Sequence, residues 1–351
     1  MTIQIESMHA GSSLAQTLLN NSHNINALRV WGDKDVPGAF INNAANDDCI
    51  RVNNTNYTLL KDEWLQIDRA VNDVRRKRRG ILDAVEMAGS VYNLGTGLGK
   101  TKLEYQNISN IGDADISMDG IVRGNFDRPQ YDLTSMPLPI IHKDFQYTSR
   151  EIAVSRNEGT PLDVATARSA AQRVLEYIEK LFAGTESYTD LGGTIYGLLN
   201  YTGKNTYSLA GDWAQIDSSA ASGETIIEDV RNMKQALIDA RYHGPYTLFI
   251  PTNYETVLDA DFKSNSDKTI RQRIMEVNNI EKIVVSDFLT SSNVVLAQLT
   301  PEVIESVTAL DLTTVEWQSQ GGFELNFKVL AMIYPRCRQD YEGNCGIVVG
   351  S

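Results

Sequence analysis

The stretch closest to a chemical motif is Gly95-Thr-Gly-Leu-Gly-Lys-Thr101, which resembles a phosphate-binding loop. Such loops hold nucleotide phosphates with backbone N–H groups and one lysine. They need a further glycine five positions before the last one, and a buried strand in front of the loop. Here Leu94 occupies that position, and a charged helical pattern precedes the stretch. We therefore predict no nucleotide site, and we interpret these glycines as a flexible hinge.

The other residue types that could do chemistry are isolated from one another. The histidines and cysteines are scattered singly: His9, His23, His142, His243, Cys49, Cys337 and Cys345. None has the spacing of a metal site, and neither a nucleophile elbow nor a zinc-protease motif occurs. Asp113 and Asp115 fall in a polar stretch, where solvated charge is commoner than an acid–base pair. We predict a protein that is not an enzyme and has no cofactor.

One dense basic run could contact phosphates: Arg75, Arg76, Lys77, Arg78 and Arg79. Each phosphate contact would release counterions, so nucleic acid is one candidate partner for this run. The alternative is a solvated helix face that pairs with nearby aspartates, or a contact between subunits. The whole chain carries a net charge of −13, so any contact with a polyanion would have to be local.

The bulk composition is that of a globular protein, with 351 residues and 42% apolar residues. No window of 18 apolar residues occurs, so we predict no membrane partner, and we see no secretion signal. Three cysteines are too few for a disulfide scaffold and suit a reducing compartment.

Hydrophobic periodicity then predicts the elements that position these residues. Residues 1–60 lack any sustained period, and we interpret them as an arm that becomes ordered only against another surface. Glycines recur among alternating polar and apolar residues from 92 to 139, which favours a projecting β-hairpin. We predict helices at 61–88, 161–183, 224–242 and 267–277, and strands at 140–155, 246–250, 281–286, 293–299 and 323–333.

Two short motifs follow predicted helices, and their order carries a resemblance. Gly197-Leu-Leu-Asn200 follows the helix at 161–183, and Gly244-Pro-Tyr-Thr-Leu-Phe-Ile250 follows the helix at 224–242. With Trp64-Leu-Gln-Ile-Asp68 and Met136-Pro-Leu-Pro-Ile140, this order resembles the encapsulin family. That family is similar to the major capsid proteins of tailed phages and shares their Hong Kong 97-type fold.

The resemblance implies an α+β Hong Kong 97-type capsid fold. Its peripheral domain would have a long spine helix and an antiparallel sheet, beside an axial domain, an extended β-hairpin loop and an N-terminal arm. The implied parts are the arm (1–60), an N-terminal helix (61–91), the extended loop (92–139), the peripheral domain (140–202 and 294–335), the axial domain (203–293) and a C-terminal segment (336–351).

The implied function is a major capsid protein, built into pentamers and hexamers of an icosahedral shell. The shell would enclose double-stranded DNA in a virion assembled in the host cytoplasm, and portal, scaffolding or decoration proteins are further partners that the resemblance allows. Encapsulins begin near the first helix, whereas about 60 residues precede it here, which favours a viral capsid. The alternative is an encapsulin-type compartment around an enzyme cargo.

Overall fold

The computed structural model describes most of the chain from residue 61 onwards. The described residues are 61–75, 80–95, 97–109, 116, 118, 128–158, 164–215, 222–263, 267–290, 292–319, 323–340 and 342–351. The predicted arm at 1–60 therefore lies outside the described residues.

Helices and strands are interspersed along the described chain. The helices are α1 (Lys61–Arg75), α2 (Ile81–Met87), α3 (Ser149–Glu158), α4 (Ala165–Ala183), α5 (Gly223–Asp239) and α6 (Ile270–Met275). The strands are β1 (Val91–Asn93), β2 (Lys102–Ile108), β3 (Tyr131–Pro137), β4 (Ile141–Thr148), β5 (Tyr188–Asp190), β6 (Gly193–Ile195), β7 (Asn205–Tyr207), β8 (Tyr246–Pro251), β9 (Ile280–Ser286), β10 (Val294–Gln298), β11 (Ile304–Ser319), β12 (Glu324–Cys337) and β13 (Ile347–Gly350).

The first sheet has four strands in the order β1-β11-β12-β4. The strands β11 and β12 form a long antiparallel pair in which Glu305 lies opposite Arg336. The helix α4 packs against β4 and β12, because Ala167, Ala171, Val174, Ile178 and Leu181 form one apolar face. This confirms the predicted apolar face of the helix, which at 19 residues is roughly 28 Å long.

The second sheet has five strands in the order β7-β13-β10-β8-β9. The chain's last described strand, β13, lies between β7 and β10 and hydrogen-bonds to both. One face of this sheet packs under α5 around Met233 and Leu237, in an apolar cluster separate from the one around α4. The strand β10 pairs with β8 in this sheet, although the resemblance places residues 294–335 in the peripheral domain.

Two predicted elements differ from the structure. The single helix predicted at 61–88 is two helices, α1 and α2, and Gly80 before α2 has a φ of 49°. The strand predicted at 140–155 ends at Thr148, and α3 follows. Thr148 and Glu151 explain this ending, since each side chain accepts a hydrogen bond from the other's backbone N–H, at 3.3 and 2.8 Å. This reciprocal capping favours a helix start over continued strand.

Candidate assembly interface

The hairpin formed by β2 and β3 projects from the first sheet. Its strands pair from Lys102 opposite Pro137 to Ile108 opposite Tyr131. Leu103 and Met136 near the base are buried, whereas Leu133 and Tyr131 farther out are 58% and 62% exposed. Ile116 and Met118, beyond the paired strands, are fully exposed. The pairing of β2 with β3 confirms the predicted β-hairpin, and its outer apolar side chains lack cover in a single subunit.

The base of the hairpin is attached to the first sheet through two arginines of β12 and its extension. The guanidinium of Arg336 lies 4.6 Å from the ring centre of Tyr92 and 5.5 Å from that of Tyr105 on β2. Arg338 lies 5.8 Å from the ring centre of Tyr105. Cation–π contacts of this kind contribute more when water is excluded, so they hold the base of the hairpin in one orientation.

A buried carboxylate balances the charge of these arginines. Glu305 on β11 accepts a hydrogen bond from Nε of Arg336 at 2.7 Å and a second, from Nη2 of the same side chain. Arg338 approaches the same carboxylate to 3.6 Å. Both Glu305 and Arg336 are buried, so the ion pair fixes the register of β11 and β12 below the hairpin.

The groups around this base are unsuited to acid–base or nucleophilic chemistry. Burial, and secondarily the neighbouring Cys337, raises the pKa of the Tyr105 hydroxyl. Burial raises the pKa of the Cys337 thiol well above its ordinary value, and it raises the pKa of Cys345 to about 12. These thiols stay protonated near neutral pH and behave as apolar core groups.

The glycine-rich stretch before β2 has a packing role. Gly97 is buried in a short 3₁₀ turn, and a Cβ atom there would lie 2.3 Å from the carbonyl oxygen of Ala309. The position therefore needs the smallest residue for close packing, and the interpretation of these glycines as a flexible hinge stays a prediction. The preceding strand β1 is short and exposed, so the buried strand of a phosphate-binding loop is missing from this position.

The motif Gly197-Leu-Leu-Asn200 packs against the C-terminal end of the long helix α4. Gly184 stops the helix in the left-handed conformation, and the backbone N–H groups of Leu198 and Leu199 donate to the carbonyls of Phe182 and Ala183, at 3.0 and 2.9 Å. The side chain of Asn200 accepts from the N–H of Gly197 at 2.7 Å. The motif thus satisfies carbonyl groups that the end of a helix leaves unpaired.

The second motif introduces the central strand β8. The N–H of Gly244, at a φ of 90°, donates to the side chain of Gln298 at 3.0 Å, and the peptide bond to Pro245 is cis. The hydroxyl of Tyr246 donates to the carbonyl of Tyr242 at 2.6 Å, so it closes the turn after α5. Both motifs are therefore structural, and they fix how helices join the two sheets.

A buried aspartate organises the loop between β7 and α5. Asp229 accepts hydrogen bonds from the indole N–H of Trp213 at 3.0 Å, the hydroxyl of Tyr207 at 3.2 Å and the backbone of Ala210 at 3.2 Å. Burying this carboxylate is tolerable because three donors surround it. Sequence reasoning missed this network, since Asp229 lies within a helix whose apolar face gives no sign of it.

The structure describes only the first member of the basic run. Arg75 ends α1, and Arg76, Lys77, Arg78 and Arg79 lie outside the described residues. Just after the run, the carboxylate of Glu179 on α4 accepts the backbone N–H groups of Ile81, at 2.5 Å, and Leu82, at 3.2 Å. The nucleic-acid role of the run stays a prediction.

The isolated histidines and acids form no metal site among the residues that the structure describes. His142 and Asp144 are exposed residues of β4 that lie 3.4 Å apart, and His243 lies in the turn before β8. His9, His23, Asp113 and Asp115 lie outside the described residues, as does Cys49. Within the described helices, no segment is both long and apolar enough to cross a bilayer.

Known shell proteins share this arrangement. A virus-like particle subunit from Pyrococcus furiosus superposes with a TM-score of 0.57 at 21% identity, over 82% of this chain and 99% of that one. The capsid subunit of the Myoviridae phage XM1 superposes with a TM-score of 0.57 at 12% identity, over 75% of this chain and 90% of that one. The chain therefore has the Hong Kong 97-type fold, as the sequence analysis predicted.

Comparison of amino-acid sequences also finds a shell protein, at a higher identity than these two structures. The type 1 encapsulin shell protein EncA of Myxococcus xanthus is 26% identical over 240 residues, which are 67% of this chain and 73% of EncA. Residues 53–350 match a family of unknown function, DUF6260, and the chain belongs to that family.

Proposed function

We propose that this chain is the major capsid protein of a tailed double-stranded DNA virus and has no enzymatic activity. The observation that carries the proposal is the projecting hairpin of β2 and β3, whose outer apolar side chains have no cover within one subunit. A subunit of a shell would cover them with a neighbouring copy, because a closed shell surrounds each subunit with others. The Hong Kong 97-type fold and the similarity to shell proteins support this proposal.

The domain boundaries follow from the same proposal. Residues 203–293 form an axial domain whose tips meet around the fivefold and sixfold axes of pentamers and hexamers. Residues 140–202 and 294–335 form the peripheral domain around α4, except that β10 at the start of the second range pairs with β8 of the axial domain. The arm at 1–60 crosses a neighbouring subunit, and the shell assembles in the host cytoplasm around a portal and becomes a virion.

The assembly state of the purified chain tests this proposal directly. The purified chain should elute from size-exclusion chromatography as large assemblies, and negative-stain microscopy should show closed icosahedral shells. A monodisperse monomer at high concentration would contradict the proposal. Particles isolated from the organism that carries the gene should contain this chain together with long, nuclease-protected double-stranded DNA.

An encapsulin-type compartment is the second candidate, and the similarity to EncA favours it. The same native particles separate the two functions. A co-purifying folded enzyme, without long DNA, would replace the viral proposal with the compartment. The 60 residues before α1 are our reason to favour the viral capsid.

The basic run predicts a salt-dependent contact with the packaged genome. Replacing Arg75 and Arg76 with glutamine should weaken DNA retention most strongly at low salt, because each lost phosphate contact reduces the steepness with which log K falls against log salt by about 0.9. Retention can be measured as DNA released from particles across a salt series. The matched control is Lys263→Gln with Lys268→Gln, which removes two exposed charges elsewhere. Equal retention in both variants would support the solvated-face interpretation.

A further inference from the structure

The strand β13 occupies a slot inside the five-stranded sheet. It pairs in parallel with β7 on one side and antiparallel with β10 on the other, where Val349 lies opposite Val295. The side chains of Ile347, Val348 and Val349 are all buried. The slot thus offers backbone hydrogen bonds to both edges of an extended apolar segment, which is how many proteins bind a peptide as an added strand.

The two faces of β13 enter different apolar clusters. Ile347 and Val349 pack in the cluster around α4, whereas Val348 packs in the cluster around α5, which also contains Met233. A slip of the strand by one residue would exchange the two faces, because side chains alternate along a strand. The slot therefore receives the strand with one particular face towards each cluster.

Two glycines fix the register of β13 in this slot. A Cβ atom at Gly346 would lie 2.6 Å from the side chain of Val303, and a Cβ atom at Gly350 would lie 2.8 Å from that of Leu209. A slip of one or two residues in either direction would put a β-branched side chain at one of these two positions. The slot is therefore specific for the pattern Gly-Ile-Val-Val-Gly, which the chain carries at 346–350.

Both walls of the slot are held by contacts that do not involve β13. The strand β10 pairs with β8 from Val295 to Gln298. The hydroxyl of Tyr207 on β7 donates to the carboxylate of Asp229 on α5, at 3.2 Å. If β13 leaves, each wall keeps its attachment to the body and presents a strand edge that another strand can join.

The connection to β13 is long enough for the strand to leave its own slot. The strand β12 ends at Cys337 and β13 begins at Ile347, so residues 338–346 join them. Nine extended residues span at most roughly 30 Å, which gives β13 room to enter the slot of an adjoining copy. Two side-chain hydrogen bonds to this connection, from Asn205 and Tyr242, must open when the strand leaves.

We propose that the slot between β7 and β10 is a strand-binding site that also accepts β13 of a second copy of this chain, so that two subunits exchange this strand. A second copy is the partner because it carries the Gly-Ile-Val-Val-Gly pattern that the slot requires. The exchanged strand joins two copies through backbone hydrogen bonds, and this binding does not depend on the proposed shell function.

Uptake of a labelled peptide by the unmodified full-length chain tests the site. The probe is a fluorescent peptide of residues 344–351 with Cys345→Ser, and its anisotropy is followed in urea below the unfolding transition, where β13 opens locally. We expect saturable binding that the unlabelled peptide displaces.

The chain itself supplies a matched control peptide. Residues 280–287 of β9 and its flank carry the same Ile-Val-Val, but between Lys282 and Ser286. This peptide should bind at least about tenfold more weakly, because its lysine and serine would occupy the two glycine positions.

A disulfide lock tests whether the peptide enters the slot that β13 leaves. Val295→Cys with Val349→Cys, in a Cys49→Ser background, places two thiols opposite each other on β10 and β13. Oxidation should abolish peptide uptake, and reduction should restore it. Mass spectrometry checks that the disulfide has formed.

Exchange between copies is measured on a mixture in the same urea solution. Copies with Val295→Cys are mixed with copies with Val349→Cys, both in the Cys49→Ser background, and are then oxidised. A linked dimer on a non-reducing denaturing gel is expected, because the strand of one copy then lies in the slot of the other. The control mixture replaces the first variant with Arg231→Cys, an exposed position on α5, and should give no dimer.

The contrary results are distinct. Absent uptake, or equal uptake of the β13 and β9 peptides, would overturn the strand-binding site. Specific uptake without a linked dimer in the mixture would overturn the exchange between copies. The peptide test uses the unmodified chain, so it decides the matter even if a cysteine variant does not fold. Shell formation is scored separately, by microscopy of the same unmodified chain without urea.

Discussion

Replacing Gly197 with alanine should lower the free energy of unfolding of the subunit by about 3 kcal/mol and abolish shells. A Cβ atom at this position would lie 2.1 Å from the carbonyl oxygen of Leu181 and 2.5 Å from the backbone nitrogen of Gly184. These neighbours are backbone atoms, so the end of α4 must move. That movement would break the hydrogen bonds that Leu198 and Leu199 donate to the helix.

Urea unfolding of disassembled subunits, followed by tryptophan fluorescence, measures this effect. The matched control is Gly192→Ala, where a Cβ atom meets nothing within 4 Å although the φ is 78°. That variant should lose only about 1 kcal/mol, the penalty of a left-handed conformation. If Gly197→Ala loses no more than the control, the close approach at the end of α4 contributes little.

The second large effect is expected at the buried ion pair below the hairpin. Replacing Glu305 with alanine should destabilise the subunit by about 3–5 kcal/mol, because the buried guanidinium of Arg336 loses its counter-charge. Arg338 would also lose the carboxylate that lies 3.6 Å from its guanidinium. Since Arg336 also contacts Tyr105, we expect the hairpin to lose its fixed orientation and shell assembly to fail.

Two control variants separate the effect of leaving a buried charge unpaired from the effect of removing a charged side chain. Glu305→Leu combined with Arg336→Met removes both charges and should lose clearly less stability than Glu305→Ala. Asp144→Asn removes an exposed partner of Lys328 and should change stability by less than about 1 kcal/mol. Equal losses in the single and the double variant would contradict our account, because the unpaired buried charge would then contribute nothing.

The sequence predicts those parts of the fold whose signal is local. The apolar face of α4 repeats with helical spacing, and the fully buried strand β8 is a short apolar run, so both are found where they are predicted. The strand β11 escaped prediction because its first four residues, Ile304-Glu-Ser-Val, do not alternate and are all buried, and because register shifts follow between Thr308 and Thr313. The reciprocal cap of Thr148 and Glu151 is a local signal that could have revealed α3.

The contacts that define the candidate interface are mostly non-local. Glu179 meets the start of α2 across 98 positions of the chain, and Arg336 meets Glu305 across 31. Gly97 and Gly197 are required by atoms that approach from other elements. A sequence shows that these residues are present, but their partners depend on packing. The projecting hairpin could be predicted, whereas the arginines that hold its base could not.

The position of β13 has a consequence for biosynthesis. This strand fills the gap between β7 and β10, yet residues 347–350 are translated after every other described strand. A nascent chain on the ribosome therefore lacks an inner strand of its five-stranded sheet until residues 347–350 have been translated. We expect truncated translation products to expose the unpaired edges of β7 and β10. We also expect them to be degraded before they can be incorporated into a growing shell.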